Sequence, residues 1–331
     1  MIKTTYESLK STDNLPSPKG VALEIIRLAN SEETTLDSIA AVIETDPAMA
    51  QKVLKLVNSP LAGMQRTIAS VRRAVTLLGL RTVKSLALGF SLVADHKTGH
   101  CSGFDYERFW SESLARAAAA RRLTVHVKDF SAEEVFACGL VSQIGRLALA
   151  TVYPQAYATV LEDLEDDDPV ALAGQERESL GIDHNELASN MMADFFMPEL
   201  FQIAVRAQAA PDEADLKPGS RVHKLACILN LSGQASQIIV KQLVYRDQLS
   251  TLTKSSSKLG ISPDTFQLIF DSISQEWREL GTIFEIKTRQ VPTIGVIYTL
   301  AMDRQKSLGD EEAEHQEMAE THAHRPGERR R

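Results

Sequence analysis

Eight histidines and three cysteines are the side chains best suited to metal ligation or nucleophilic chemistry in this 331-residue chain. Their spacing organises few of them. Cys101, Cys138 and Cys227 are far apart, odd in number and without a CxxC pair. That argues against a disulfide framework or a zinc knuckle and fits a reducing cytoplasm. Cys138, between Ala137 and Gly139 in an apolar stretch, reads as a buried structural thiol. His184 follows Asp183 at the start of a predicted helix, where a hydrogen-bonding role in the cap is expected. His223, beside Val222, Leu225 and Ala226, reads as a core or boundary residue. His315, His322 and His324 fall in a polar C-terminal tail at spacings that suit no pre-formed ligand face. His96, His100 and His126 belong to no ligand pattern either. No GxSxG, Walker A or HExxH motif is present.

Charge is distributed unevenly around a formal net value of −8. No acidic residue occurs between Asp46 and Asp95, while Lys52, Lys55, Arg66, Arg72, Arg73, Arg81 and Lys84 all fall there. Two readings of this segment stay open. One is a positive patch for an acidic partner protein, a nucleotide phosphate or nucleic acid, with Arg66, Arg72, Arg73, Arg81 and Lys84 as partner-binding candidates. The other is a set of solvated helix faces. No recognition helix or aromatic stacking set accompanies the segment, so a protein partner is expected ahead of nucleic acid. The acidic run from Glu162 to Asp168 reads as an exposed loop, or as a matching surface in self-association.

No run approaches eighteen consecutive apolar residues and the N-terminus lacks a secretory signal, so a cytoplasmic protein without a membrane span is expected.

The elements that must position these residues read as helices. Thr35 is a candidate N-cap, Asp46-Pro47 gives an N-cap followed by an N1 proline, and Asn58-Ser59-Pro60 is a stop. With a helix from Pro18 to about Asn30, and two more around Ser70–Gly79 and Arg81–Ala94, the first lobe is a five-helix bundle. A hinge at 97–103 precedes a long helix from about Asp105 to Val127. Ser131 and Glu134 form a candidate capping box for a helix carrying Phe136, Leu140, Ile144 and Leu147. Further helices are expected behind Asp183, near 198–209 and near 220–234. Ser255-Ser256-Ser257 reads as a turn, Ser262-Pro263 opens another helix, and a last one covers 292–305. No strand run is evident, so the class is all-α. The expected organisation is a lead at 1–13, lobes at 14–98 and 99–235, a helical extension at 236–306 and a disordered tail at 307–331.

Several segments, in order, carry a family resemblance. They are Leu15-Pro16, Glu44-Thr45-Asp46-Pro47, Lys55-Leu56-Val57-Asn58-Ser59 and the stretch Ser70–Arg81. Phe109-Trp110-Ser111-Glu112-Ser113, the stretch Ala137–Leu149 and Glu178–His184 complete the set. The chain resembles the HDOD family over about residues 14–235. These are bacterial output domains related to the HD metal-dependent phosphohydrolases and linked to signal transduction.

The resemblance implies a two-lobed helical fold whose second lobe once held metal. The His-Asp pair that names the HD superfamily falls at Ser142-Gln143, and its upstream histidine at Glu112. A later histidine pair falls near Gln208-Ala209 and the final aspartate near Cys227. A hydroxyl and a neutral amide replace imidazole and carboxylate at the central pair, so no metal and no cofactor are expected. The expectation is a non-catalytic regulatory module that binds a protein or small ligand in a signalling pathway, one with a possible cyclic-dinucleotide connection. The alternatives are a phosphodiesterase-type hydrolase with an atypical site through Glu112 and Cys227, and nucleic-acid binding through residues 52–84.

Overall fold

Local chemistry sets the helix starts. Asp46 accepts hydrogen bonds from the N–H groups of Ala48 (2.9 Å) and Met49 (3.1 Å), with Pro47 behind it as N1. Thr35 caps reciprocally with Ser38, Ser70 accepts from Arg73 N and Asp183 from Asn185 N and Glu186 N. Each such cap satisfies N–H groups that a helix leaves without an internal partner.

The computed structural model describes residues 4–127, 129–163, 168–242 and 246–303. They form α1 (Tyr6–Lys10), α2 (Gly20–Leu28), α3 (Leu36–Glu44), α4 (Pro47–Val57), α5 (Val71–Asp95), α6 (Tyr106–Thr124), α7 (Ala132–Val141) and α8 (Ile144–Val152). Then follow α9 (Pro154–Glu162), α10 (Pro169–Leu180), α11 (His184–Asp194), α12 (Glu199–Arg206), α13 (Arg221–Lys241), α14 (Arg246–Lys258), α15 (Pro263–Phe284) and α16 (Ile294–Asp303). No strand occurs among the described residues. The class is all-α, as the periodicity predicts.

Several boundaries differ from expectation. The first long helix starts at Gly20, with Lys19 as N-cap, instead of at Pro18. At Gly79 the expectation of two helices holds: its φ of 78° and ψ of 161° are non-helical and divide α5 into two helical halves. The Ser131 capping box does not form, because the hydroxyl turns to Glu133 Oε2 at 3.1 Å. The helix expected to run through Phe136 and Leu147 breaks at Ser142-Gln143 into α7 and α8. Ser255-Ser256-Ser257 lies inside α14, not in a turn. The lead contains α1, which reaches Asp194 of α11 through Tyr6 Oη (2.6 Å) and Lys10 Nζ (2.7 Å). Of the acidic run, Asp168 caps α10 while 164–167 lie outside the described residues. The tail at 307–331 lies outside them too.

Helix α6 organises the core and packs against α7, α13 and α15. Its small residues Ala117–Ala120 are fully buried. A Cβ on Gly139 of α7 would stand 3.0 Å from the Ala117 Cα, so glycine there permits the close approach. Trp277 of α15 donates its indole N–H to the Ser111 carbonyl at 3.0 Å. Phe284 meets Phe90 of α5 with ring centroids 4.5 Å apart. The extension therefore clamps onto both lobes. Two helical stretches, Val71–Asp95 and Ala132–Val152, are apolar enough over eighteen residues to pass as membrane spans, which a count of uninterrupted apolar residues misses. Both are packed in this fold, the second mostly buried and broken at Ser142-Gln143.

Candidate functional site

The break between α7 and α8 sits beside a polar cavity of about 730 Å³. Ser142 is fully buried and spends its hydroxyl on the Gly139 carbonyl at 3.0 Å. Gln143 turns towards the cavity, which Glu112, Arg116, Arg146, His184 and Gln208 also line. Three of the five sequence-predicted metal positions, Glu112, Gln143 and Gln208, thus line one space, with Ser142 buried behind it. Gln208 donates its amide to the Ser142 carbonyl (2.8 Å) and to Asn185 Oδ1 (2.9 Å), which locks it in place. Glu112 is ion-paired with Arg108 at 2.8 Å.

Cys227 does not line this cavity, though Asp212, beside it, does. Its sulfur, His223 and Asp212 bring ligand-type atoms within 4.8 Å of one another, and Glu112 is not in that cluster. Lys258 is ion-paired with Asp212 and holds its carboxyl below the usual range, while burial pushes the Cys227 thiol up. Cys138 is fully buried and burial raises its thiol too, as befits a structural residue.

Three basic residues line the cavity: Arg116 and Arg146, which sequence reasoning passed over as site residues, and His184, for which it expected the hydrogen-bonding role the structure shows. Arg116 comes from the alanine-rich face of α6, Arg146 from the first turn of α8, and His184 from the start of α11. His184 is 1% exposed, and its Nδ1 lies 2.6 Å from Glu176 Oε2. A carboxylate can only accept, so Nδ1 carries the hydrogen and Nε2 is the free ring atom. Glu176, itself fully buried, also accepts from the His184 backbone N–H (2.7 Å) and the Tyr157 hydroxyl (2.9 Å). The buried Nε of Arg116, Nε of Arg146 and Nε2 of His184 have no hydrogen-bond partner.

Burial pushes Arg116 down to about 10, with Glu112 opposing and Arg146 adding to the fall. Burial also acts against Arg146, but Tyr157, Glu112 and Glu176 outweigh it and hold it above the usual range. A charged group inside an otherwise apolar run was the available signal: Arg116 sits amid Ala115 and Ala117–Ala120, and Arg146 between Ile144 and Leu147.

The donor set does not suit a metal ion. Divalent cations need carboxylates, imidazoles or thiolates facing one point. Here the Arg116 and Arg146 guanidiniums sit among the Gln143 and Gln208 amides, and of the carboxylates lining the cavity Glu112 is paired with Arg108, Asp212 with Lys258, and Asp168 caps α10.

The basic segment is less free than its sequence suggests. Arg72 pairs with Asp37 (2.8 Å) and Arg81 with Glu134 (3.5 Å), acids from other helices. Lys84 donates to Asn30 Oδ1 at 2.8 Å, and burial lowers its pKa. Arg66 and Arg73 remain exposed.

A family model described as the HDOD domain matches residues 15–211, so α13 and everything after it lie beyond the match. A response regulator of Methylococcus capsulatus, MmoQ, is 31% identical, covering 78% of this chain and 98% of its own, with a TM-score of 0.45. A Marinobacter aquaeolei protein, a candidate for signal transduction by its description, is 23% identical with a TM-score of 0.60. That match covers 86% of this chain and 62% of the other. An uncharacterized protein of Treponema pallidum is 25% identical over 151 residues, 45% of this chain but only 29% of that relative's length.

Proposed function

The chain belongs to the HDOD family, and we propose that it is a cytoplasmic, non-catalytic regulatory module whose former metal site now serves binding. One observation carries the reading: Arg116 and Arg146 line the cavity where the HD superfamily holds cations, beside Gln143 in place of the aspartate. Two positive charges repel a divalent ion, and a neutral amide cannot bridge metals or lower the pKa of a bound water. The helical frame around these positions is kept, and a kept frame is what recognition needs. The family's link to bacterial signal transduction fits this reading. In its fuller form the partner is a protein of a signalling pathway connected with cyclic dinucleotides.

The hydrolase alternative requires Glu112 and Cys227 in one ligand set, whereas Cys227 groups with Asp212 and His223 without Glu112, which pairs with Arg108. Purified protein assayed for phosphodiester hydrolysis with added manganese tests the reading. The expected result is no turnover above buffer. Turnover that disappears in Glu112→Ala overturns it.

A further inference from the structure

Three side chains that line the cavity each keep one buried nitrogen without a partner, Nε of Arg116, Nε of Arg146 and Nε2 of His184, although the Arg146 guanidinium also meets the Tyr157 hydroxyl. Buried polar groups are almost always satisfied, and leaving a charged donor without an acceptor costs more than any neutral one. The Arg116 guanidinium has only long contacts, 3.5 Å to Gln208 Oε1 and 3.4 Å to the Leu229 carbonyl. The fold nonetheless makes room for it. A Cβ on Gly233 of α13 would stand 2.6 Å from Arg116 Nη1, so the glycine opens the space that the guanidinium fills.

The acids nearby are largely committed elsewhere. Glu112 pairs with Arg108, Glu176 is shared between His184 and Tyr157, and Asp212 pairs with Lys258. Asp168 and Glu213 also line the cavity, as do Lys241 and Lys258. The inner end is therefore cationic and the remaining lining mixed in charge.

We propose that this cavity binds the phosphate group of a small phosphorylated molecule, with Arg116, Arg146 and His184 as its three partners. Two guanidinium forks match the oxygens of a tetrahedral dianion. His184 Nε2 accepts a P–OH hydrogen, or donates to a phosphate oxygen once the ring is protonated with Glu176 behind it. The cavity volume exceeds that of phosphate alone, so a small organic body attached to the group fits beside the Gln143 and Asn230 amides. The inference rests on reading the cavity as a binding site and not as a catalytic metal centre.

The test uses the full chain and inorganic phosphate, with chloride at matched ionic strength as the comparison. A nucleoside monophosphate in a second arm distinguishes free phosphate from a phosphorylated molecule. Phosphate is expected to raise the melting temperature above that in chloride. Arg116→Gln and Arg146→Gln are each expected to weaken phosphate binding by about tenfold or more, the worth of a charge-assisted hydrogen bond. Arg27→Gln, at an exposed position outside every candidate site, leaves binding unchanged. A purely structural arginine would shift the melting temperature equally with and without phosphate, whereas a ligand-binding one abolishes the phosphate-induced rise. Absence of any phosphate-specific rise, or a rise of equal size in both arginine variants, overturns the proposal. The non-catalytic reading survives that outcome and falls only to manganese-dependent turnover.

Discussion

His184 Nδ1 lies 2.6 Å from Glu176 Oε2, with both side chains buried and His184 among the residues that line the cavity. Glu176 satisfies three donors at once: the ring, the His184 backbone and the Tyr157 hydroxyl. It thereby ties α9, α10 and α11 together under the cavity floor.

Removing that carboxylate strands all three donors. Glu176→Ala is expected to cost about 2–4 kcal/mol of unfolding free energy, since unsatisfied buried groups cost about 1–3 kcal/mol each and some relaxation occurs. Glu176→Gln should cost less, because the amide oxygen still accepts. Urea denaturation measures both, and an unchanged midpoint in Glu176→Ala would refute the role.

Gly145 is required by a backbone neighbour. A Cβ there collides with the His184 carbonyl and Cα, atoms that cannot rotate away. Gly145→Ala should therefore separate α8 from α11 and destabilise by about 1–3 kcal/mol. Gly174→Ala meets nothing nearby and serves as the control in the same melts.

Asp183 sets a pH dependence. Burial works against its charge, yet Arg177 at 2.6 Å, the Glu186 N–H and His184 hold its carboxyl below the usual 3.8. A depressed acid leaves the unfolded chain with more bound protons between the two values. Its stabilisation is present above 3.8 and is lost as pH falls through the depressed value. Asp183→Asn should flatten the fall of the urea midpoint over that acidic range; an identical pH profile in the variant contradicts this.

Glu276 of α15, 1% exposed, is paired with Arg121 and Arg122 of α6. These arginines are partly exposed and can turn to water when the carboxylate goes. Glu276→Gln is therefore expected to cost about 1–2 kcal/mol, at the lower end for charged hydrogen bonds, and not the full penalty of a stranded buried charge. A loss above that range, read by chemical denaturation, would mean the arginines cannot relax.

The caps at Thr35, Asp46, Ser70, Asp183 and Ser262 were legible because each depends on residues within one turn. The Ser131 box failed because Glu133, two residues on, competes for the same hydroxyl. The break at Ser142-Gln143 was hidden, since Phe136, Leu140, Ile144 and Leu147 keep the helical spacing across it and periodicity alone continues the helix. At the site, the residue types at the metal positions the resemblance implies were legible, and three of them, Glu112, Gln143 and Gln208, line one cavity. His184 was read as a hydrogen-bonding residue, but its partner Glu176 and the two arginines Arg116 and Arg146 were not singled out, because their meeting is set by packing among α6, α8, α10 and α11. Likewise the acid-free stretch 47–94 finds Asp37 and Glu134 only in space.

The central claim is that this cavity has exchanged cation ligation for binding. Equilibrium dialysis of the full chain against manganese tests it most directly, with Gln143→Ala and Glu112→Ala alongside. The account predicts no stoichiometric manganese in any of the three proteins. Stoichiometric manganese in the parent chain that is lost in either variant would contradict it.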